Sequence, residues 1–216
     1  PNIMKRVIFT LIVLALPLVA DAQSKGLFSK KPMKMNKEMS EYMAGAVPEV
    51  EGKVVFSQNI AFAGKAKEQV FANLAQWASL RYMPDTEHGV WNDKDYYKNL
   101  DNAKVKVANQ QEGVIVCQAD EEQVFSNRTL AKDYCRMNYE LELKVEDNQV
   151  VATISTISYV YNLSETPERI AAEDWITDKE SISKKGKLLR VSGKFRVKTI
   201  DLKDQLFAEI TDVLSR

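Results

Sequence analysis

The sequence predicts a two-layer α+β domain in which an antiparallel sheet carries two amphipathic helices on one face. Three observations predict it. From Cys135 to Val145 the odd positions (Cys135, Met137, Tyr139, Leu141, Leu143, Val145) are apolar, apart from the phenol. The even positions (Arg136, Asn138, Glu140, Glu142, Lys144) are polar, the period-two pattern of a strand with one buried face. Glu146-Asp147-Asn148-Gln149 then supplies turn residues, and Val150 to Tyr161 is a second run rich in Val, Thr and Ile. A two- or four-residue loop sets Val145 opposite Val150 and Leu141 opposite Ile154. Finally, two other stretches have helical spacing, and the element order lacks the β-α alternation of a doubly wound parallel sheet.

From the N-terminus, Lys5 and Arg6 precede an apolar run from Val7 to Ala20, and Ala20-Asp21-Ala22 has the small-x-small form of a signal-peptidase site. The run is too short for a spanning helix, which needs about 20 apolar residues. Cleavage is expected after Ala22, with Met4 as the initiator. No cysteine precedes Cys117, so no lipid-modified N-terminal cysteine is expected. The expected product is exported, periplasmic or secreted. Gln23 to Glu49 holds five lysines, three acids and four methionines without strand alternation, and reads as a flexible or weakly helical leader.

The domain is expected over residues 50–216. Lys53 to Phe62 reads as its first strand. Lys65 to Met83 has helical spacing, with Val70, Leu74, Trp77, Ala78 and Arg81 on one stripe and Phe71 beside it; Pro84 stops it. Pro84 to Asn102 is a long irregular connection with the only histidine, His88, and with Trp91, Tyr96 and Tyr97. These aromatics suit either stacking on a sugar or peptide, or pinning the loop to the domain. Ala103 to Ala108 and Gly113 to Ala119 read as two short strands leading to the central hairpin.

After the hairpin, Thr166-Pro167 reads as the start of a helix running through Trp175-Ile176. Lys184 to Lys198 carries seven Lys or Arg and no acid, and reads as a solvated connector and last strand. Asp201 reads as the cap of a final helix with Leu202, Leu206, Ile210 and Val213 as its apolar stripe. The order is therefore β-α-β-β-β-β, a helical insert, then α.

The chemistry is bounded mostly by exclusion. Thirty basic and thirty acidic residues give zero net charge, against the basic excess that nucleic-acid binding uses to displace counterions. One histidine and two separated cysteines do not make a typical zinc set. There is no Gly-x-Ser-x-Gly elbow, and only eight glycines are present, none in a phosphate loop. No cofactor or metal is expected, and no catalytic residue. Glu121-Glu122 and Glu173-Asp174 are carboxylate pairs open to two readings, acid-base work or solvated surface.

Several runs together resemble one known family. They are Val47 to Phe56, Gln76-Trp77-Ala78 ending the first helix, Ala172 to Ile176, and Gly193 to Asp201. The family consists of exported bacterial proteins of unknown function with a TBP-like fold, that is, like the TATA-box-binding protein. The resemblance implies a curved antiparallel sheet backed by two helices, covers roughly Val47 to Ser215, and carries over no catalytic residue. A fold name implies nothing about DNA binding.

The functional expectation is a non-catalytic binding or interaction module of the cell envelope, with an unknown protein or glycan as partner. A structural part of an envelope assembly and a carboxylate-based hydrolase are the alternatives. Alternation places Arg136, Tyr159 and Tyr161 on an open sheet face, the types enriched at binding hot spots, and Trp91 is a further ligand-binding candidate. A hairpin centred near Ser126 sets Cys117 opposite Cys135, within reach of a disulfide in an oxidising compartment.

Overall fold

The computed structural model describes residues 37–89, 96–128, 131–161 and 167–216. A 3-10 helix (Lys37–Tyr42) leads to a small hairpin of β1 (Glu49–Val50) and β2 (Lys53–Val54). Glu51 and Gly52 both have positive φ, as a tight two-residue turn requires. Then follow β3 (Phe56–Ala61), α1 (Lys67–Arg81), β4 (Glu87–His88), β5 (Tyr97–Asn99), β6 (Lys104–Asn109), β7 (Val114–Arg128), β8 (Ala131–Val145), β9 (Gln149–Tyr161) and β10 (Glu168–Ala171). A 3-10 turn (Ala172–Asp174), α2 (Asp178–Ser181) and α3 (Ser192–Ser215) complete the chain.

The long strands β7, β8 and β9 form the centre of an antiparallel sheet. One flank of β9 is shared by β3 and β10, and one flank of β7 by β6 and β5, with β4 beyond β5. The helices α1 and α3 lie together on one face. They bury Val70, Phe71, Leu74 and Ala78 of α1 and Leu202, Leu206 and Ile210 of α3 against Leu141, Leu143, Val150 and Ile154 of the sheet. The two-layer α+β architecture is the one predicted, and Val145 faces Val150 and Leu141 faces Ile154.

Four local expectations are corrected. The β7–β8 hairpin turns between Arg128 and Ala131, not near Ser126, so Cys117 faces Leu141 and Cys135 faces Gln123. The cysteines are thus six register positions apart, about 20 Å at 3.3 Å per residue. That is too far for a disulfide; both are buried free thiols. Second, Glu168–Ala171 is not helical but pairs with β9 as a strand; Thr166 lies outside the described residues. Third, the last helix begins at Ser192 and absorbs Phe195, Arg196, Thr199 and Ile200 as buried positions, with Asp201 inside it rather than at its cap. The basic connector therefore ends in a helix, not a last strand.

The fourth correction reverses a face. Asn138 pairs with Ser158 but Glu140 pairs with Ser155, so β9 carries one extra residue there. Thr156 sits in this bulge with φ 54°, a conformation costly for a β-branched side chain. Val151, Thr153 and Ser155 face away from the helices as expected. Beyond the bulge, however, Ile157 and Tyr159 turn into the helix layer. Tyr159 is 1% exposed, and its hydroxyl lies 2.6 Å from Thr199 Oγ1 of α3.

The end of the leader is tied to the domain. Arg196, fully buried, donates from Nε to the Tyr42 carbonyl and from Nη2 to the Met43 carbonyl, both at 2.6 Å. Its Nη1 donates to the Ile176 carbonyl, and Nη2 also reaches Asp178. Gly45 N donates to the other Asp178 oxygen and Tyr42 donates to Asp201. Among the described residues, no helix is long and apolar enough to cross a membrane.

Candidate functional site

The sheet face opposite the helices is built from the even positions of β7 and β8. Alternation sends Gln118, Asp120, Arg136, Asn138 and Glu140 there, and the bulge at Thr156 adds Ser158. β10 brings Arg169 alongside, because Arg169 pairs with Val160. The edge strand β6 brings Lys106.

Asp120, Arg136, Asn138, Ser158 and Arg169 form a hydrogen-bonded belt across four strands, β7 to β10, with the Lys106–Glu140 pair beside it. Arg136 grips Asp120 with two parallel N–H donors, the bidentate geometry that gives the strongest charge-assisted pairs. Asn138 Nδ2 donates to Asp120 at 3.0 Å, and Arg169 Nη1 donates to Asn138 Oδ1 at 3.1 Å and to Ser158 Oγ at 2.8 Å. Lys106 donates to Glu140 at 2.7 Å. Burial opposes ionisation of Asp120, but the hydrogen bonds from Arg136, Asn102 and Asn138 prevail and hold its carboxyl below the ordinary range.

A shallow cleft of 310 Å³ opens over this belt, lined by Lys106, Gln118, Arg136, Asn138, Thr156 and Arg169 among others. Three cations and one carboxylate, Glu140, line it together with amides and hydroxyls. Each long cation keeps N–H donors beyond those already used. Such a surface presents hydrogen-bond donors and acceptors side by side. The Ser158 hydroxyl accepts from Arg169, and no described histidine lies beside it to act as a base.

A second polar cluster lies on the helix side. Arg81, at the end of α1 and 3% exposed, donates to the fully buried Glu121 at 2.9 Å. Tyr139 donates to the same carboxylate oxygen at 2.8 Å, and its hydroxyl is 3.3 Å from that of Tyr82. The guanidinium sits 3.4 Å above the Tyr97 ring, on which His88 stacks. Burial disfavours the charge on Arg81, but Glu121 outweighs it and raises its pKa. The carboxylate pair Glu121-Glu122 is thus split by alternation, with Glu121 neutralised inside the core. Glu173 accepts from the Val54 backbone N–H. Among the described residues, no group of three or more His, Cys, Asp or Glu is placed to hold a metal ion.

Of the expected site residues that are described, Arg136 alone lies on the open face. Tyr159 is core. Tyr161 is half-buried on the helix side, donating to Asp133 and accepting from Lys194, with its ring edge-on to Phe195. Trp91 lies outside the described residues, and Cys117 and Cys135 are buried apart. Sequence reasoning missed Arg169, assigned to a helix, and Lys106 and Thr156. One signal was present. The buried positions of β9 run 150, 152, 154 and then 157, 159, a step of three that marks the bulge, although Val151 and Val160 blur it in the sequence.

The family described as "Domain of unknown function (DUF4468) with TBP-like fold" matches residues 56–160, from β3 almost to the end of β9. A crystal structure of a DUF4468 family protein from Bacteroides ovatus superposes with a TM-score of 0.70 at 28% identity, covering 84% of this chain and 97% of that one. A crystal structure of a TBP-like protein from Parabacteroides distasonis has a TM-score of 0.57 at 20% identity, covering 79% and 97%; at that identity the likeness speaks for the fold. No curated protein matches the chain.

Proposed function

Residues 56–160 are a DUF4468 domain with a TBP-like fold, a description that assigns no activity, and from that premise we propose a non-catalytic binding module of the cell envelope. Its open sheet face holds a glycan rich in hydroxyl and carboxylate groups. The observation that carries this reading is the Asp120–Arg136–Asn138–Arg169 belt beside a strained, non-glycine bulge. Strain at a positive-φ threonine costs about 1–3 kcal/mol and persists where the surroundings enforce it, commonly at ligand sites. Here the bulge does two things: it sends Tyr159 into the core and leaves Ser158 and Thr156 at the cleft.

The glycan class follows from the lining. Its cations are interleaved with amides and hydroxyls rather than with the apolar anchors that protein partners use. The envelope assignment rests on the basic-apolar-small pattern of residues 5–22. Calorimetric titration of the full chain with solubilised acidic envelope polysaccharide tests the reading. Binding is expected, and Arg169→Ala should abolish it while leaving the melting temperature nearly unchanged, because Arg169 is exposed. Equal binding by wild type and variant, or none by either, overturns it.

A further inference from the structure

On the helix side, three clefts join into one groove along α3. The first, of 530 Å³, lies between the 3-10 helix and α3 and is lined by Glu41, Tyr42, Asp201 and Asp204. The second, of 390 Å³, shares His88 and Glu209 with it and runs over Tyr97 and Glu87. The third, of 430 Å³, shares Trp77, Leu80 and Glu209 with the second and ends at Val213 and Arg216. Six carboxylates line the groove (Glu41, Glu87, Asp201, Asp204, Glu209, Asp212) against two arginines, Arg81 and Arg216. Arg81 is shared between Glu121 and, at 3.7 Å, Glu209, and Arg216 pairs with Asp212, so the carboxylates at the Glu41 end have no arginine of the lining beside them. The groove is therefore acidic at the Glu41 end, and at the other it offers an apolar spot, where Leu80 is 61% exposed beside Trp77 and Val213, among Asn73, Gln76 and the Asp212–Arg216 pair.

We propose that this groove is the docking site of the chain's own segment from Gln23 to Asn36. The segment carries Lys25, Lys30, Lys31 and Lys34 and no acid, with Leu27, Phe28, Met33 and Met35 between them. It joins the domain at Lys37, and the 3-10 helix that follows forms the acidic end of the groove. Direction and length agree as well. From Asp201 to Arg216 the helix spans about 22 Å at 1.5 Å per residue. An extended segment covers that in about seven residues. Lys34, Lys31 and Lys30 then pass over the carboxylates, and Phe28 and Leu27 arrive where Trp77, Leu80 and Val213 lie exposed or half-exposed. Charge complementarity fixes the register, and burial of the two large apolar side chains adds the affinity that screened surface charges lack.

The test uses the full chain with a nitroxide on Ser29→Cys; Cys117 and Cys135 are buried, so labelling is selective. At low salt, the amides of Glu209 and Val213 and the Trp77 indole N–H should lose most of their intensity through paramagnetic broadening. The loss should vanish in Lys30→Gln/Lys31→Gln/Lys34→Gln, and at about 1 M salt, where the Debye length is about 3 Å. Full intensity at α3 in the labelled chain overturns the proposal. So does broadening that appears on unlabelled copies mixed with labelled ones, since the groove would then take a second copy's segment. Broadening that survives both the triple variant and high salt overturns the charge-directed register.

Discussion

Thr156 shows how one residue sets the chemistry of both faces. Its positive φ inserts the extra residue in β9, so that Ile154 and Ile157, three positions apart, both point at the helices. Asparagine tolerates this conformation better than threonine does. Thr156→Asn should therefore stabilise the protein by about 1 kcal/mol, read as a raised midpoint in urea; a loss of stability would show that the threonine is not strained. Asp120 makes a prediction with a definite sign. Its folded pKa lies below the ordinary 3.8, through hydrogen bonds that overcome burial. The stability it contributes is thus present above pH 3.8 and is lost as pH falls through the lower folded value. Acid titration of the melting temperature should show a shallower fall in Asp120→Asn than in wild type. Parallel acid profiles would contradict the assigned shift.

At the scale of elements, what the sequence made legible is what periodicity encodes directly. The alternation of β8, the loop that sets Val145 against Val150, and the stripe Val70-Leu74-Ala78 of α1 all stand as expected. What failed depended on contacts distant in sequence. The true start of α3 at Ser192 is fixed by burial of Phe195 among Phe125, Tyr159 and Trp175 and of Arg196 against residues 42–43 and 176, which no local pattern in a Lys- and Gly-rich run announces. The β7–β8 register depends on a turn between Arg128 and Ala131, where the sequence has no Asn-Gly or Asp-Gly signal. Of the site, alternation found Arg136 and the open face. Its partner Asp120 lies on β7, whose register with β8 the expected turn misplaced, and Arg169 lies on β10, a stretch read as helix.

Two measurements follow at this scale. Thiol titration of the intact protein should find Cys117 unreactive, its thiol pushed up to about 12 by burial, and Cys135 likewise raised by burial. Two thiols should titrate on unfolding without reductant; fewer than two would restore the disulfide. Arg196→Met removes the donor that holds the Tyr42 and Met43 carbonyls and leaves Asp178 without that partner. Carbonyls left without a donor cost about 1–3 kcal/mol each when buried, so the variant should lower the melting temperature and should open residues 40–46 to hydrogen exchange and proteolysis before the core. Unchanged protection there would mean that Tyr42–Asp201 and Gly45–Asp178 suffice.

At the scale of the whole molecule, the fold separates a polar sheet face from a helix layer that contains every described tyrosine ring named as a hot-spot candidate. The family likeness is one of architecture, and the proposed function rests on the belt on the open face. Its most direct test is to add solubilised acidic envelope polysaccharide to the isotope-labelled full chain and map the backbone amide shifts. Shifts are expected to concentrate at Arg136–Glu140, Thr156–Ser158 and Arg169, with the α1–α3 side unmoved. Shifts concentrated along α3, or none at the belt at saturating polysaccharide, would contradict the proposed function.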